Sequence, residues 1–288
     1  MPELPEIETI KLQLGKVLVG QRIVNVIVNN NKSVRGDIGE IRGRRVIGIR
    51  RMAKVLLIDL DGDLTIAIHL KMTGQLIYDD GKGRVAGGHP TGDFAGELPS
   101  KHTRVMIELT SPPATLYFND QRKFGWMKIV ESSKLKVESF IKDLGPEPLE
   151  LKKDEVIKLI KLIKKSKRAI KLVIMDQKII SGVGNIYAND ALWEARIRPQ
   201  TVANQISVER LRILLKKIHL VLREGIKYGG ATAADSKFVN LQGMGGHYQD
   251  HFRVYDRRGL PCLKCQTEIK KITLGGRGTY YCSKCQIV

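Results

Sequence analysis

The first six residues contain two prolines and two glutamates, a combination that can support nucleophilic chemistry. If Met1 is removed, Pro2 exposes a secondary amine beside Glu3. A free α-amino group has a pKa near ~7.7–8.0 against ~10.4 for lysine, so its neutral, nucleophilic fraction at neutral pH is about a few hundredfold larger. A secondary amine that condenses with an aldehyde-like carbon gives a charged iminium, which withdraws electrons from its neighbours. The alternative interpretation is an ordinary proline in the first turn of a helix.

The only cysteines of the chain form a second chemical pattern, Cys-x2-Cys, sixteen residues, then Cys-x2-Cys. This spacing matches a four-cysteine zinc ribbon, in which each pair presents two thiolates to one tetrahedral ion. Four thiolates leave no position for water, so we expect one structural Zn²⁺. The predicted ligands are Cys262, Cys265, Cys282 and Cys285. Two strands, Ile269–Leu274 and Gly278–Tyr281, are expected to form a hairpin between the pairs.

The composition indicates a globular protein that binds a polyanion. Apolar residues make up 42% and charged residues 27% of the 288 positions, as in globular proteins generally. The 49 Lys and Arg against 30 Asp and Glu give a net charge of +19, which favours nucleic acid or an anionic surface. No apolar run reaches membrane-spanning length, no signal peptide is apparent, and the first 261 residues lack cysteine. We therefore expect a cytosolic protein that binds nucleic acid and no membrane.

The N-terminal half has the pattern of a β-sandwich or barrel capped by one helix. Glu6 to Leu18 is amphipathic, with Ile7, Ile10, Leu14 and Val17 on one stripe. Short runs separated by turn signals then predict antiparallel strands. The Gly-rich stretch from Asp79 to Ser100 is expected to be a mobile loop. The predicted strands are Ile23–Val28, Val46–Ile49, Val55–Leu60, Leu64–Leu70, Arg104–Leu109, Thr115–Phe118 and Gly125–Val130.

Helical patterns replace strands after the Pro- and Gly-containing segment Leu144–Leu149. A further strand is predicted at Phe252–Tyr255. The segment from Ser181 to Asn185 places glycines before a helix, where backbone amides can bind phosphate and Asn185 can cap the helix and donate to an oxygen. Simple packing is the alternative for this segment. The predicted helices are Lys153–Lys165, Arg168–Met175, Gly184–Ala195 and Val208–Tyr228.

Seven motifs, in the order in which they occur along the chain, resemble those of bacterial formamidopyrimidine-DNA glycosylases, which are 8-oxoguanine-DNA glycosylases and AP lyases. The resemblance runs from residue 2 to the C-terminus. The related endonuclease VIII, which removes oxidised pyrimidines, usually has glycine soon after the proline, where this chain has Leu4-Pro5. The motifs are Pro2–Glu6, Arg51–Lys54, His69–Gly74, Phe118–Gly125, Leu144–Leu149, Gly182–Ala188 and the four-cysteine tail.

The resemblance implies a bifunctional enzyme that flips a damaged purine out of duplex DNA. Pro2 would attack C1′ of the deoxyribose, and Glu3 matches the carboxylate that protonates the sugar ring oxygen and shuttles protons. β-Elimination and then δ-elimination would leave a gap with phosphate ends, and no cofactor would be consumed. Lys54 matches a lysine that binds phosphate near the lesion. Glu6 matches a residue that orients the N-terminal helix, although a plain first-turn carboxylate is an open alternative.

Further residues match DNA contacts of that family. Met72, Arg122 and Phe124 match the trio that fills the hole left by the flipped base, where the arginine can pair with the orphaned cytosine. The chain departs from the commoner pattern at Gln121, usually proline, and Lys123, often arginine, so we expect a slightly looser loop. Residues 229–246 correspond in position to a flexible loop over the flipped base. The phosphate ligands implied by the resemblance are Asn185, Arg257, Lys167 and His102.

The fold class expected from this reading is α+β. An N-terminal β-sandwich (1–131) would precede a linker (132–151), a helical domain with a helix-two-turns-helix unit (152–252) and a zinc-finger hairpin (253–288). The expected partner is double-stranded DNA with oxidised purines, and the expected state is a monomer in the bacterial cytosol or nucleoid. Two alternatives remain, an endonuclease VIII-like glycosylase for oxidised pyrimidines and a catalytically silent DNA-binding member of the fold.

Overall fold

A computed structural model describes residues 1–89, 92–110, 112–231 and 246–287. The chain divides into two compact units. Unit 1 comprises Met1–Lys142 and Tyr228–Gln249, and unit 2 comprises Asp143–Lys227 and Asp250–Val288. The division into four sequence-based domains stays a prediction. It assigns residues 228–249 to the helical domain, whereas they are part of unit 1 in the structure.

Helix α1 (Leu4–Leu18) starts unit 1 and forms part of its core. Its buried residues Ile7, Ile10, Leu14 and Leu18 recur at helical spacing, so they form one apolar face. The helix begins two residues earlier than the apolar pattern predicts, because a proline in its first turn is compatible with helical backbone. Gly20, with φ of 92°, follows its end.

Two five-stranded sheets make up the rest of unit 1. The first has the order β1-β8-β9-β6-β7 and the second β2-β10-β5-β4-β3, and the pairs are antiparallel except β2–β10. Both inner faces and α1 contribute to a single hydrophobic core. The strands are β1 (Ile23–Val28), β2 (Val34–Arg35), β3 (Val46–Met52), β4 (Val55–Leu60), β5 (Leu64–His69), β6 (Gly74–Asp79), β7 (Arg84–Gly88), β8 (Thr103–Leu109), β9 (Ala114–Asp120) and β10 (Trp126–Glu131).

Strand β7 corrects the expectation of a loop from Asp79 to Ser100. It pairs with β6 in antiparallel register from Asp79↔Arg84 to Gln75↔Gly88. Its glycines resemble loop residues in the sequence, but they have a packing cause. A Cβ on Gly87 would lie 2.3 Å from Cγ1 of Ile10, so α1 can pack on this strand only where no side chain stands.

Unit 2 contains four helices among the described residues: α2 (Lys153–Lys164), α3 (Ile170–Ile174), α4 (Asn185–Glu194) and α5 (Val208–Lys227). Buried residues cover most of α4, whereas α5 buries one stripe that includes Leu211, Leu214 and Ile218. None of the helices in the described ranges is long and apolar enough to cross a membrane.

A hairpin of β11 (Ile269–Leu274) and β12 (Arg277–Cys282) completes unit 2, and Gly275 and Gly276 form its turn. The predicted α+β class, with N-terminal sheets, a helical region and a cysteine-bearing hairpin, is confirmed. The strand predicted at Phe252–Tyr255 is wrong. Its residues form bends and the start of a turn, and the amides of Val254 and Tyr255 donate to the side chain of Asp190 rather than to a neighbouring strand.

Candidate active site and metal centre

The start of α1 presents the predicted nucleophile and acid side by side. Pro2 and Glu3 are buried, and Glu3 is only 3% exposed at the N-cap position of the helix. With Met1 in place the nitrogen of Pro2 is part of an amide. Removal of Met1 would therefore create the secondary amine. Met1 is exposed, which leaves it accessible to a processing enzyme.

Glu6 connects this N-terminus to a second segment of unit 1. Its Oε2 accepts the backbone N–H of Glu3 at 2.8 Å, and its Oε1 accepts the N–H of Ala231 at 2.8 Å. Gly230 has a φ of 84°, and a Cβ there would lie 2.9 Å from Cγ of Glu6. Glu6 therefore fixes Glu3 relative to residues 230–231. The remainder of the predicted base-covering loop, 232–245, lies outside the described residues.

Lys54 is held in the turn between β3 and β4. It is 5% exposed and follows Ala53, whose φ is 52°. The preceding Arg51 donates from Nε to Oε2 of Glu8 at 2.7 Å, so this hairpin is tied to α1. Burial favours a higher pKa for Glu8, but the hydrogen bonds and charges of Lys11 and Arg51 outweigh it and hold that pKa below its ordinary value.

His69 lies near Lys54 and was given no role by the sequence analysis, although it begins one of the quoted motifs. Burial, followed by the charges of Lys71 and Lys54, lowers the pKa of His69 to about 3. Its Nδ1 accepts the backbone N–H of Lys71 at 3.0 Å. The ring is therefore neutral at physiological pH and carries its proton on Nε2. Beside Lys54 it adds a neutral hydrogen-bond donor.

Two neighbouring loops carry the predicted wedge. Met72 is 38% exposed and Phe124 is 53% exposed, although both are large apolar side chains. The guanidinium of Arg122 stacks over the ring of Phe124 at 4.8 Å from its centroid. The three side chains thus combine exposed apolar surface, which suits insertion into a base stack, with a cation that can contact a base or phosphate.

Buried Asp120 holds these loops in place, and sequence reasoning missed its role. It accepts the N–H of Arg122 at 3.2 Å, the N–H of Gly125 at 2.7 Å and the hydroxyl of Thr73. An aspartate that binds backbone N–H groups within a turn is a common arrangement, so its place just before the turn was the available signal. These bonds constrain the loop that lacks the family's usual proline.

Replacing Asp120 by alanine is expected to lower the free energy of unfolding by about 3 kcal/mol, because the N–H of Gly125 and the hydroxyl of Thr73 lose their acceptor, and the N–H of Arg122 keeps only Oγ1 of Thr73. Gln121→Ala changes an exposed neighbour in the same loop and is expected to alter stability by less than about 0.5 kcal/mol. Urea denaturation followed by circular dichroism measures both. Equal stability of the two variants would contradict the role given to Asp120.

His102 is already engaged by a carboxylate. Its Nδ1 lies 2.9 Å from Oδ2 of Asp93, and its backbone carbonyl accepts the N–H of Asp120 at 2.9 Å. The ring therefore retains one nitrogen, Nε2, for a further contact. The structure places it in the same unit as Lys54 and Arg122.

The three other predicted phosphate ligands belong to unit 2. Lys167 is exposed beyond the end of α2. Gly184 occupies the N-cap of α4, so the expectation that Asn185 caps this helix is wrong; Asn185 is its first residue. The glycine segment before it is held by Gln177, which accepts the N–H of Gly182 at 2.9 Å and donates to the carbonyl of Val183 at 2.8 Å. Nothing in the sequence pattern singles out Gln177.

The guanidinium of Arg257 is oriented by two backbone carbonyls. Nη1 donates to Phe252 at 3.1 Å and Nη2 donates to Pro261 at 3.0 Å. Across the described residues it makes no other hydrogen bond, which leaves three of its five N–H groups for a ligand. A fixed guanidinium of this kind suits an anion such as phosphate.

The four cysteine sulfurs lie within 4.8 Å of one another. Cys262 and Cys285 are 3.8 Å apart, and Cys265 and Cys282 are 3.4 Å apart, close to the ~3.8 Å edge of a tetrahedron with Zn–S bonds of ~2.3 Å. Hydrogen bonds from Thr267 lower the pKa of Cys265 to about 6, and the indole N–H of Trp193 donates to Sγ of Cys262 at 3.4 Å. The donor set therefore fits one structural zinc, as predicted.

Comparison with known protein families covers both units. The formamidopyrimidine-DNA glycosylase N-terminal domain matches residues 1–127, the H2TH domain of the same enzymes matches 144–237, and the zinc finger found in FPG and IleRS matches 259–287. The chain belongs to the formamidopyrimidine-DNA glycosylase family. The resemblance found in the seven motifs is thereby confirmed.

Individual members of the formamidopyrimidine-DNA glycosylase family are similar over the full length. The enzyme of Pelotomaculum thermopropionicum is 38% identical over 294 residues, and that of Listeria monocytogenes is 35% identical over 291, with at least 99% of each chain covered. The crystal structure of MutM (Fpg) from Thermus thermophilus superposes with a TM-score of 0.84 at 32% identity, covering 99% of this chain and 98% of that one. A mutant Lactococcus lactis Fpg, in complex with a Fapy-dG containing DNA, gives 0.86 at 29% identity with both chains fully covered.

Proposed function

We propose that this chain is a bifunctional DNA glycosylase and AP lyase of base excision repair that removes 8-oxoguanine and formamidopyrimidines from duplex DNA. The observation that carries the proposal is the buried Pro2–Glu3 pair at the start of α1, in a chain of net charge +19 that belongs throughout to this family. A mutant of the related Lactococcus lactis protein forms a complex with a Fapy-dG containing DNA, which supports the same substrate class here.

In the proposed reaction the amine of Pro2 forms a bond to C1′ while the bond from C1′ to the base breaks. The base leaves with the bonding electrons and takes up a proton. Glu3 protonates the ring oxygen as the sugar opens, and the nitrogen of Pro2 becomes an iminium. Glu6 keeps Glu3 in place through the hydrogen bond to its N–H.

The iminium then acts as an electron sink. Loss of a proton from C2′ breaks the C3′–O bond, and a second elimination breaks the C5′–O bond, so both flanking strands end in phosphate. Hydrolysis of the remaining iminium restores Pro2. Lys54 would bind a phosphate near C1′, and Met72, Arg122 and Phe124 would fill the space vacated by the extruded nucleotide.

We propose the same cellular setting as in the sequence analysis, a monomer in the bacterial cytosol or nucleoid bound to double-stranded DNA. Asn185, Arg257, Lys167 and His102 would contact phosphates, which fix the position of the protein on the duplex without reading its sequence. The zinc held by the four cysteines would stabilise the hairpin next to Arg257.

Borohydride trapping tests the function. Protein with a free Pro2 is expected to form a covalent adduct with a duplex containing 8-oxoguanine opposite cytosine, because reduction converts the iminium to a stable amine. A gel shift under denaturing conditions measures the adduct. An undamaged duplex is the control. Absence of an adduct would contradict the proposed enzymatic function and favour a catalytically silent DNA-binding protein. A preference for duplexes that contain thymine glycol would favour the endonuclease VIII-like alternative.

A further inference from the structure

Helix α4 contains two consecutive buried polar residues, Asn189 and Asp190, that the proposed reaction leaves without a role. Buried polar side chains are rarely left without hydrogen-bond partners, because an unsatisfied buried group destabilises the folded state. Here the partners come from two separate segments of unit 2. One is the loop that leads into Arg257, and the other is strand β12 of the zinc hairpin.

Asp190 binds the loop that leads into Arg257. Its Oδ1 accepts the N–H of Val254 at 3.0 Å and the N–H of Tyr255 at 3.2 Å. The N–H of Arg257 itself donates to the carbonyl of Val254 at 3.2 Å. The position of Arg257 therefore depends on where Asp190 holds Val254.

Asn189 binds the start of its own helix and the zinc hairpin at once. Its Nδ2 donates to the carbonyl of Asn185 at 2.6 Å, and its Oδ1 accepts the N–H of Tyr280 in β12 at 2.9 Å. The hydroxyl of Tyr280 in turn donates to Asp256 at 3.2 Å, directly before Arg257. Two routes of hydrogen bonds thus link α4 to the segment that carries the arginine.

We propose that Asn189 and Asp190 are positioning residues that hold the two phosphate ligands of unit 2, Asn185 and Arg257, in one fixed arrangement. Asn185 is the first residue of α4, and Asp190 lies five positions further on the same rigid helix. A helix that carries one ligand and is bonded to the loop of the other sets the spacing between them before DNA arrives. Such preorganisation avoids ordering both groups during binding.

The inference rests on the proposed function, since it concerns residues that would act on DNA. A positioning role differs from a purely structural role because it predicts that the effects of two substitutions on DNA affinity are coupled. If Asp190 acts through Arg257, removing Arg257 first must remove most of the effect of changing Asp190. The same relation must hold between Asn189 and Asn185.

The first test is a double-mutant cycle with Asp190→Asn and Arg257→Ala, read as affinity for a duplex containing a tetrahydrofuran abasic analogue by fluorescence anisotropy. Asp190→Asn keeps the shape, but it replaces a carboxylate that accepts the backbone N–H groups of Arg253, Val254 and Tyr255 with an amide that has one acceptor oxygen. It is expected to weaken binding about tenfold, yet to weaken it less than twofold in the Arg257→Ala background. Asp176→Asn is the matched control, because that half-buried aspartate of unit 2 pairs with Arg168 instead. It is expected to leave affinity unchanged.

Zinc content and the emission of Trp193 show whether the hairpin of each variant is folded. If Asp190→Asn loses its zinc, the cycle of Asn189→Ala with Arg257→Ala decides, because it probes the second route, through Tyr280 and Asp256. If the two substitutions of the cycle that is used weaken DNA binding additively, the positioning role is overturned. Covalent trapping by the wild-type protein is measured separately. If the wild-type protein forms the adduct and the effects are additive, only this inference is contradicted. If the wild-type protein forms no adduct, the proposed function itself is contradicted.

Discussion

Protein that retains Met1 is expected to form no covalent adduct with damaged DNA and to cleave no strand. The reason is chemical rather than structural. With Met1 attached, the nitrogen of Pro2 is an amide whose lone pair is delocalised into the carbonyl. It can neither attack C1′ nor form an iminium. The loss of activity is therefore expected to be complete within the sensitivity of the assay, whereas binding of an abasic analogue should persist.

The experiment compares two preparations of identical sequence apart from the first residue. Intact mass distinguishes chains with and without Met1, and borohydride trapping measures the adduct from each. Glu3→Gln in the processed protein provides an intermediate case. It retains the amine but lacks the acid, so turnover is expected to fall by about 10²–10⁴-fold. Equal trapping by processed and unprocessed protein would show that another amine, such as that of Lys54, is the nucleophile.

The sequence predicts features of the site that depend on local spacing. The spacing of the four cysteines predicts the metal cluster, because few arrangements of two Cys-x2-Cys turns bring four sulfur atoms to one ion. Helix α1 follows from its apolar periodicity. The positions of Met72, Arg122 and Phe124 came from a family resemblance, and the structure places all three on unit 1 with Arg122 stacked on Phe124.

Features that depend on distant contacts were missed. Strand β7 resembles a loop because its Gly87 is required by Ile10, which lies far earlier in the chain. The run Phe252–Tyr255 resembles a strand because three of its four residues are apolar or aromatic, but two of its amides bind a carboxylate of α4. Asp120 and Asp190 are polar residues whose importance comes from burial, and a single sequence does not distinguish a buried polar residue from an exposed one. Gln177 is important because it binds backbone groups of the glycine segment, which a single sequence does not show either.

Removal of zinc is expected to weaken binding to duplex DNA by at least about 100-fold. The hydrophobic cluster around the metal site is small, and two of its six buried members are the zinc ligands Cys262 and Cys282. Binding of structural zinc by small modules contributes about 10–16 kcal/mol of folding free energy, so the hairpin has little to stabilise it without the ion. Arg257 then loses its oriented donors. Charge-assisted hydrogen bonds contribute about 1.5–3 kcal/mol each, and two of them account for the expected decrease.

Unit 1 should remain folded in the same experiment, because its core is built from α1 and the two sheets without any of the cysteines. The chain has two tryptophans, Trp126 in unit 1 and Trp193 beside Cys262. In a Trp126→Phe variant the emission of Trp193 is expected to shift to longer wavelength as the chelator removes zinc. A Trp193→Phe variant should show no such shift at Trp126. Zinc-free protein that binds damaged duplex with unchanged affinity would mean that Arg257 does not hold the DNA, and the positioning role of Asp190 would then have no ligand through which to act.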